Sequence, residues 1–241
     1  MSIDPRTIIA ANNSADLYEA MFASQGLAFT RRPFAFVALD TPPPYYSDLT
    51  VQSPDHPTEL MAEIKRSALR FKGRVGIKDS FCQLDLAAFG YEILFTASWI
   101  WRDGETLPLP PSWVQIMDEA GLQQWEEAWK ASGSPTTHRM FTPAMLARRD
   151  VSFLARIVNG EIIAGCIANR SRNCVGLSNV FSAEPDQTIF AQAADAAAAT
   201  APGLAIVGYE AGDALTQAKH AGFQTVGVLR ILVSRDARFP D

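Results

Sequence analysis

One punctuation pattern occurs twice in this chain and limits its fold more than any other feature. Residues 75–102 read VGIKDSFCQLDLAAFGYEILFTASWIWR, and residues 204–233 read LAIVGYEAGDALTQAKHAGFQTVGVLRILV. Each gives a strand-like run, a short helix, a glycine followed by an aromatic (Gly90-Tyr91 and Gly222-Phe223), and a second strand. The glycine closes the helix in a left-handed conformation, and the aromatic starts the next strand facing the core. In each half a longer helix precedes this unit, PTELMAEIKRSALRF (57–71) or DQTIFAQAADAAAATAPG (186–203), and antiparallel strands precede that helix. The reading is an α/β (α+β) chain of two repeats, with mixed, mostly antiparallel sheets flanked by helices. The Pro/Gly-rich stretch DGETLPLPPS (103–112) is the best linker, which divides the chain into 1–107 and 108–241.

The remaining elements follow from periodicity. A short helix is predicted over 16–27, capped by Ser14 or Asp16. Strands are predicted over 33–44 and 45–53 as a hairpin pair. Leu60, Ile64, Ala68 and Phe71 share one face of the 57–71 helix. A helix starts near Asp118, with Leu122, Trp125 and Trp129 as its apolar stripe, and a short one covers 142–150 with Pro143 in its first turn. Residues 151–182 make two or three antiparallel strands, with Asn159-Gly160 as a hairpin turn.

Composition excludes several classes. At 48% hydrophobic and 20% charged residues, the chain has material for a sizeable core. A net charge of -5 argues against a nucleic-acid binder, because phosphate contacts need Lys and Arg. The basic cluster of Lys65, Arg66, Arg70, Lys72 and Arg74 reads as a solvated helix face. Cys82, Cys166 and Cys174 form no disulfide framework, and His56, His138 and His220 lack metal-ligand spacing. There is no signal-peptide pattern at the N-terminus and no run of membrane-span length, so the expectation is a soluble cytoplasmic protein with no membrane partner.

From Phe153 to Val233 the order and spacing of elements resemble those of GNAT-family N-acetyltransferases, with HAGF (220–223) similar to that family's closing pattern. The N-terminal half resembles a worn copy of the same fold. The resemblance implies an acyl-CoA-dependent N-acyltransferase that uses acetyl-CoA as cosubstrate and a small-molecule or peptide amine as acceptor. In the family, two parallel strands splay apart to admit the pantetheine arm. Mapped here, Ser178, Asn179, Val180 and Phe181 line one side, and Gly208, Tyr209 and Glu210 the other.

The chemistry is less complete than the fold. The turn expected to hold the pyrophosphate reads SAEPDQT (182–188), with no glycine and no arginine. Glu184 and Asp186 repel an anion there, and Pro185 removes a donor. The amides of Gln187 and Thr188 are the remaining candidates at the helix N-terminus, where Asp186 reads as the cap. The family's tyrosine acid would fall at Ala218, so it is absent. Tyr209, Lys219 and His220 are the nearest titratable alternatives. Glu210 and Asp213 are the candidate bases, with helix capping as the competing role of Asp213. Lys78 and Asp79 read as a structural pair at the equivalent strand end of the first half. A non-catalytic protein that binds a small molecule or partner through the former coenzyme cleft stands as the alternative to the enzyme.

Overall fold

A computed structural model describes residues 3–236. Its elements are α1 (Pro5–Ser24), β1 (Phe29–Arg31), β2 (Ala35–Ala38), β3 (Leu49–Val51), α2 (Pro57–Arg70), β4 (Val75–Asp79) and β5 (Glu92–Arg102) in the first half. The second half adds β6 (Trp113–Gln115), α3 (Glu119–Ala131), α4 (Pro143–Leu146), β7 (Val151–Val158), β8 (Glu161–Arg170), β9 (Cys174–Ser182), α5 (Ile189–Thr200), β10 (Ala205–Glu210), α6 (Gly212–His220) and β11 (Gln224–Ser234). Among the described residues no helix is long and apolar enough to cross a membrane.

All 11 strands among the described residues join one sheet, in the order β1-β2-β3-β4-β11-β5-β10-β9-β8-β7-β6. The strands from the two Gly-aromatic units, β5 and β11, pair antiparallel at its centre. Outward from that pair the two sides match. β11 meets β4 antiparallel, and β4 meets β3 parallel. β5 meets β10 antiparallel, and β10 meets β9 parallel. Each half's last strand therefore closes the sheet of the other half, so the two sheets run together as one. Gly90 and Gly222 have φ of 84° and 87°, the left-handed closures that the pattern requires.

Helices cover both faces. Strand alternation puts Trp99 and Ala97 of β5 against α1, and Ile100 against α5 and α6. The apolar stripe of α3, with Leu122, Trp125 and Trp129, packs with Phe141, Phe153 and Phe181 on the α1 side. α2 covers β2–β4 from the opposite face through Leu60, Ile64 and Ala68. Burying a side chain the size of Leu60 or Ile64 contributes about 1.5–3 kcal/mol.

The first helix is longer than its predicted span of 16–27. It starts at Pro5, with Asp4 as N-cap accepting from the Arg6 amide at 2.9 Å. Ser14 and Asp16 lie inside the helix and cap nothing. The short helix expected before Gly90 in the first unit shrinks to a 3-10 turn at Ala87–Phe89. The short edge strands β1 and β6 were not expected. The stretch 103–112 is irregular as expected, but it does not hang free. A Cβ on Gly104 would lie 2.3 Å from the carbonyl oxygen of Gly203, so only glycine allows that contact.

Candidate functional site

The site begins where two parallel strands part. β9 and β10 pair only at Cys174–Ala205, Val175–Ile206 and Gly176–Val207. Beyond Gly176 and Val207 they separate. The cause is a bulge in β9: the register against β8 shifts between Gly165 and Ile167, whose partners are Phe181 and Ser178. Asn179 at the bulge adopts φ of 52°, a left-handed conformation that asparagine tolerates better than most residues. Across the gap, Gly208 is held close to β9. A Cβ there would sit 2.7 Å from the Leu177 carbonyl oxygen.

The parting leaves a cavity of about 280 Å³. Ser178, Asn179, Val180, Gly208, Tyr209 and Glu210 line it, as the strand mapping expected. Phe181 does not. Its ring turns into the core and meets Trp125 edge-on at 5.1 Å. Gln187 and Thr188 are exposed on the approach to α5 and are not part of the lining.

The far wall comes from the first half and from α1. Lys78 of β4 is 1% exposed, yet its ammonium faces the cavity. Its Nζ donates to Ser14 Oγ at 2.9 Å and lies 3.5 Å from the Tyr209 hydroxyl. The same nitrogen sits 4.5 Å from the ring centre of Tyr18 and 4.4 Å from that of Tyr209. Among the described residues no carboxylate forms a salt bridge with it. Taking an ammonium out of water costs several kcal/mol, and two desolvated ring faces return roughly 1–2 kcal/mol each. Burial disfavours the Tyr18 phenolate, but the adjacent ammonium together with hydrogen bonds from Ser47 and Lys78 outweighs it and holds Tyr18 below the usual tyrosine range. Tyr209 is also drawn down by Lys78, but burial and Tyr18 together leave it raised, so its hydroxyl keeps its proton. Trp99 packs edge-on against Tyr209 at 5.5 Å and fixes the ring.

Lys78 and Asp79 do not form the structural pair expected of them. They are neighbours on a strand and point to opposite faces. Asp79 pairs with Arg230 at 2.7 Å and accepts from the amides of Gln83 and Leu84. Lys78 is the principal site residue that the sequence reading missed. The signal available was a lysine in a strand, VGIKD, that has helices over both faces.

Glu210 ends β10 at the cavity. Part of its surface stays open at the cleft mouth, but dense protein surrounds the carboxyl, and burial pushes its pKa up to about 7. Asp213 lies in the first turn of α6, exposed and outside the cavity. It does not cap that helix. The N-cap is Ala211, and Asp213 contributes only its charge near the helix N-terminus. Lys219 and His220 are exposed at the other end of α6. Ala218 of α6, at the position of the family's tyrosine, is fully buried on the face that packs on the core.

The turn before α5 satisfies itself. Asp186 Oδ1 accepts from the Thr188 amide at 2.9 Å and from its hydroxyl at 2.6 Å. Asp186 is therefore a turn-forming residue two positions before the N-cap, which is Thr188. Arg156 of β7 supplies the arginine the turn lacks, but it is paired to Asp186 at 3.0 Å. Hydrogen bonds from Thr188, then those from Arg156, hold Asp186 below the usual carboxylate range. The turn is no ready cradle for a pyrophosphate.

No family model matches the chain, and no curated protein sequence matches it. Solved structures do. A GCN5-related N-acetyltransferase from Kribbella flavida superposes with a TM-score of 0.62 at 14% identity, covering 94% of this chain and 96% of its own. One from Sphaerobacter thermophilus gives 0.57 at 11% identity, with 97% and 95% covered. The N-myristoyltransferase of Saccharomyces cerevisiae, solved with bound myristoyl-CoA, gives 0.54 at 12% identity over 77% of this chain and 59% of its own. With the parted β9 and β10 and the central β5–β11 pair, these likenesses lead to one conclusion: the chain has the fold of the GNAT N-acetyltransferases.

Proposed function

We propose that the protein transfers an acyl group from an acyl-CoA, with acetyl-CoA as the simplest donor, to the amine of a small molecule or peptide. The observation that carries this reading is the gap between β9 and β10 with Glu210 at its edge. The acyl-pantetheine arm would enter at the bulge, along Ser178, Asn179 and Val180. The Val180 amide would polarise the thioester carbonyl as negative charge develops on its oxygen. Glu210, with a pKa of about 7, would take the proton from the attacking amine. Carbon–nitrogen bond formation and carbon–sulfur bond cleavage would release a thiolate. Tyr209, which keeps its proton, would protonate that thiolate. Asp213 is the less suitable base, since it lies exposed outside the cavity. The two repeats, 1–107 and 108–241, would then divide the work. The second supplies the donor cleft, and the first supplies Tyr18 and Lys78 on the acceptor side. Residues 1–2 and 237–241 of these spans lie outside the described residues.

The test is release of free thiol from acetyl-CoA on addition of an amine panel. Amine-dependent release that disappears in Glu210→Gln supports the reading. No release with any amine, from acetyl-CoA or longer acyl-CoAs, favours instead a binding protein built on the same cleft.

A further inference from the structure

The cavity has a charge pattern of its own. Of the described residues that line it, only Lys78 and Glu210 carry charged groups. The rest of the wall is neutral: Asn13, Ser14, Asn169, Ser178 and Asn179 are polar, and Tyr18, Tyr45, Tyr46, Trp99 and Tyr209 are aromatic. Lys78 is nearly fully buried, and among the described residues no carboxylate pairs with it. Its nearest partners are all neutral: the hydroxyls of Ser14 and Tyr209 and the ring faces of Tyr18 and Tyr209. Buried charges in proteins are paired or hydrogen-bonded, and a single cation facing a cavity is a site for a single negative charge. The hydroxyls of Ser14 and Tyr209 beside it add neutral donors suited to one carboxylate.

We infer that the acceptor is a small amino acid-like molecule, whose carboxylate is held by Lys78 while its amine is presented to Glu210. The cavity of about 280 Å³ lies just below the roughly 300–1,000 Å³ of most small-molecule sites, which limits the acceptor to a compact molecule. This inference rests on the acyl-transfer reading for the amine, but the carboxylate site stands on Lys78 alone. The aromatic lining favours an apolar or aromatic side chain between the two charged ends.

The test uses matched pairs that differ only in charge. Binding of N-acetylphenylalanine and of its carboxamide is measured by calorimetry on the full chain. The acid is expected to bind roughly 10- to 100-fold more tightly, the range for a hydrogen bond to a charged group. In Lys78→Met, which removes the buried charge and keeps an unbranched apolar stem, the acid and the amide should bind alike. Equal binding of acid and amide to the unaltered protein, or an unchanged preference in Lys78→Met, overturns the inference. The comparison on the unaltered protein holds even if the variant does not fold. Free CoA is titrated in parallel. CoA binding without a preference for the acid sinks the carboxylate site and leaves acyl transfer standing. A preference for the acid without CoA binding does the reverse. Binding of none of the three sinks both.

Discussion

Replacing Glu210 by glutamine separates its chemical role from its effect on stability. A carboxyl with a pKa of about 7 is about 9% ionised at pH 6 and about 91% at pH 8. If it is the base, kcat at saturating amine rises about tenfold across that window. An ordinary glutamate, at about 4.3, is fully ionised throughout and gives a flat profile. Glu210→Gln should lower kcat by about 10²–10⁴-fold and abolish the rise. The same shift acts on folding. The folded state holds a proton that the unfolded chain loses near 4.5, so stability falls as pH rises from 4.5 to about 7. Above pH 7 the charged carboxylate is fully penalised in the fold. The full gap is about 3 kcal/mol, and partial exposure reduces it to about 1–3 kcal/mol. Glu210→Gln should therefore melt higher than the parent at pH 8 and equally at pH 4. The assays are thiol release and thermal denaturation across pH. A variant that keeps the pH-dependent rise, or more than half of kcat, refutes Glu210 as the base. A variant less stable at pH 8 refutes its buried, raised pKa.

Two further outcomes follow from other contacts. Gly176→Ala would place a Cβ 2.1 Å from Asn13 Oδ1 and 2.2 Å from Asn169 Oδ1, where these side chains bond each other's backbone carbonyls across α1 and β8. It should cost about 2–4 kcal/mol in a denaturant titration, and an unchanged midpoint would contradict that packing. Because the turn at 182–188 is satisfied by Asp186, the nucleotide end of the donor should contribute little. Acetyl-pantetheine should then match acetyl-CoA in kcat/KM within about tenfold, and a loss beyond about 10³-fold would show that a pyrophosphate site exists.

Much of this fold was legible because its signals are local. Gly90-Tyr91, Gly222-Phe223 and Asn159-Gly160 each need a particular backbone, and each is found where it was read. The exchange of β5 and β11 between halves was not legible. Their pairing joins residues 92–101 to 224–233, and an apolar strand does not name its neighbour. The early start of α1 was hidden for a different reason. Residues 7–15 carry buried Thr7 and Asn13 among alanines, so no clean apolar stripe marks them. At the site, Ser178, Asn179, Val180, Tyr209 and Glu210 reach the cavity by strand order alone. Lys78 and Tyr18 reach it only through the packing of α1 over β4 and β10, which no spacing encodes. Phe181 fails because alternation turns it away from its neighbours at the bulge.

The central claim is that the parted strands β9 and β10 receive an acyl-CoA. Its most direct test is the thermal midpoint with and without acetyl-CoA at millimolar concentration. A ligand at roughly 100 times its Kd adds about 2.7 kcal/mol, which for a chain of this size is a rise of roughly 5–10 °C. The account predicts a rise of that order, reduced when Gly208 is replaced by valine to crowd the gap beside Leu177. No shift with acetyl-CoA, longer acyl-CoAs or free CoA would contradict it.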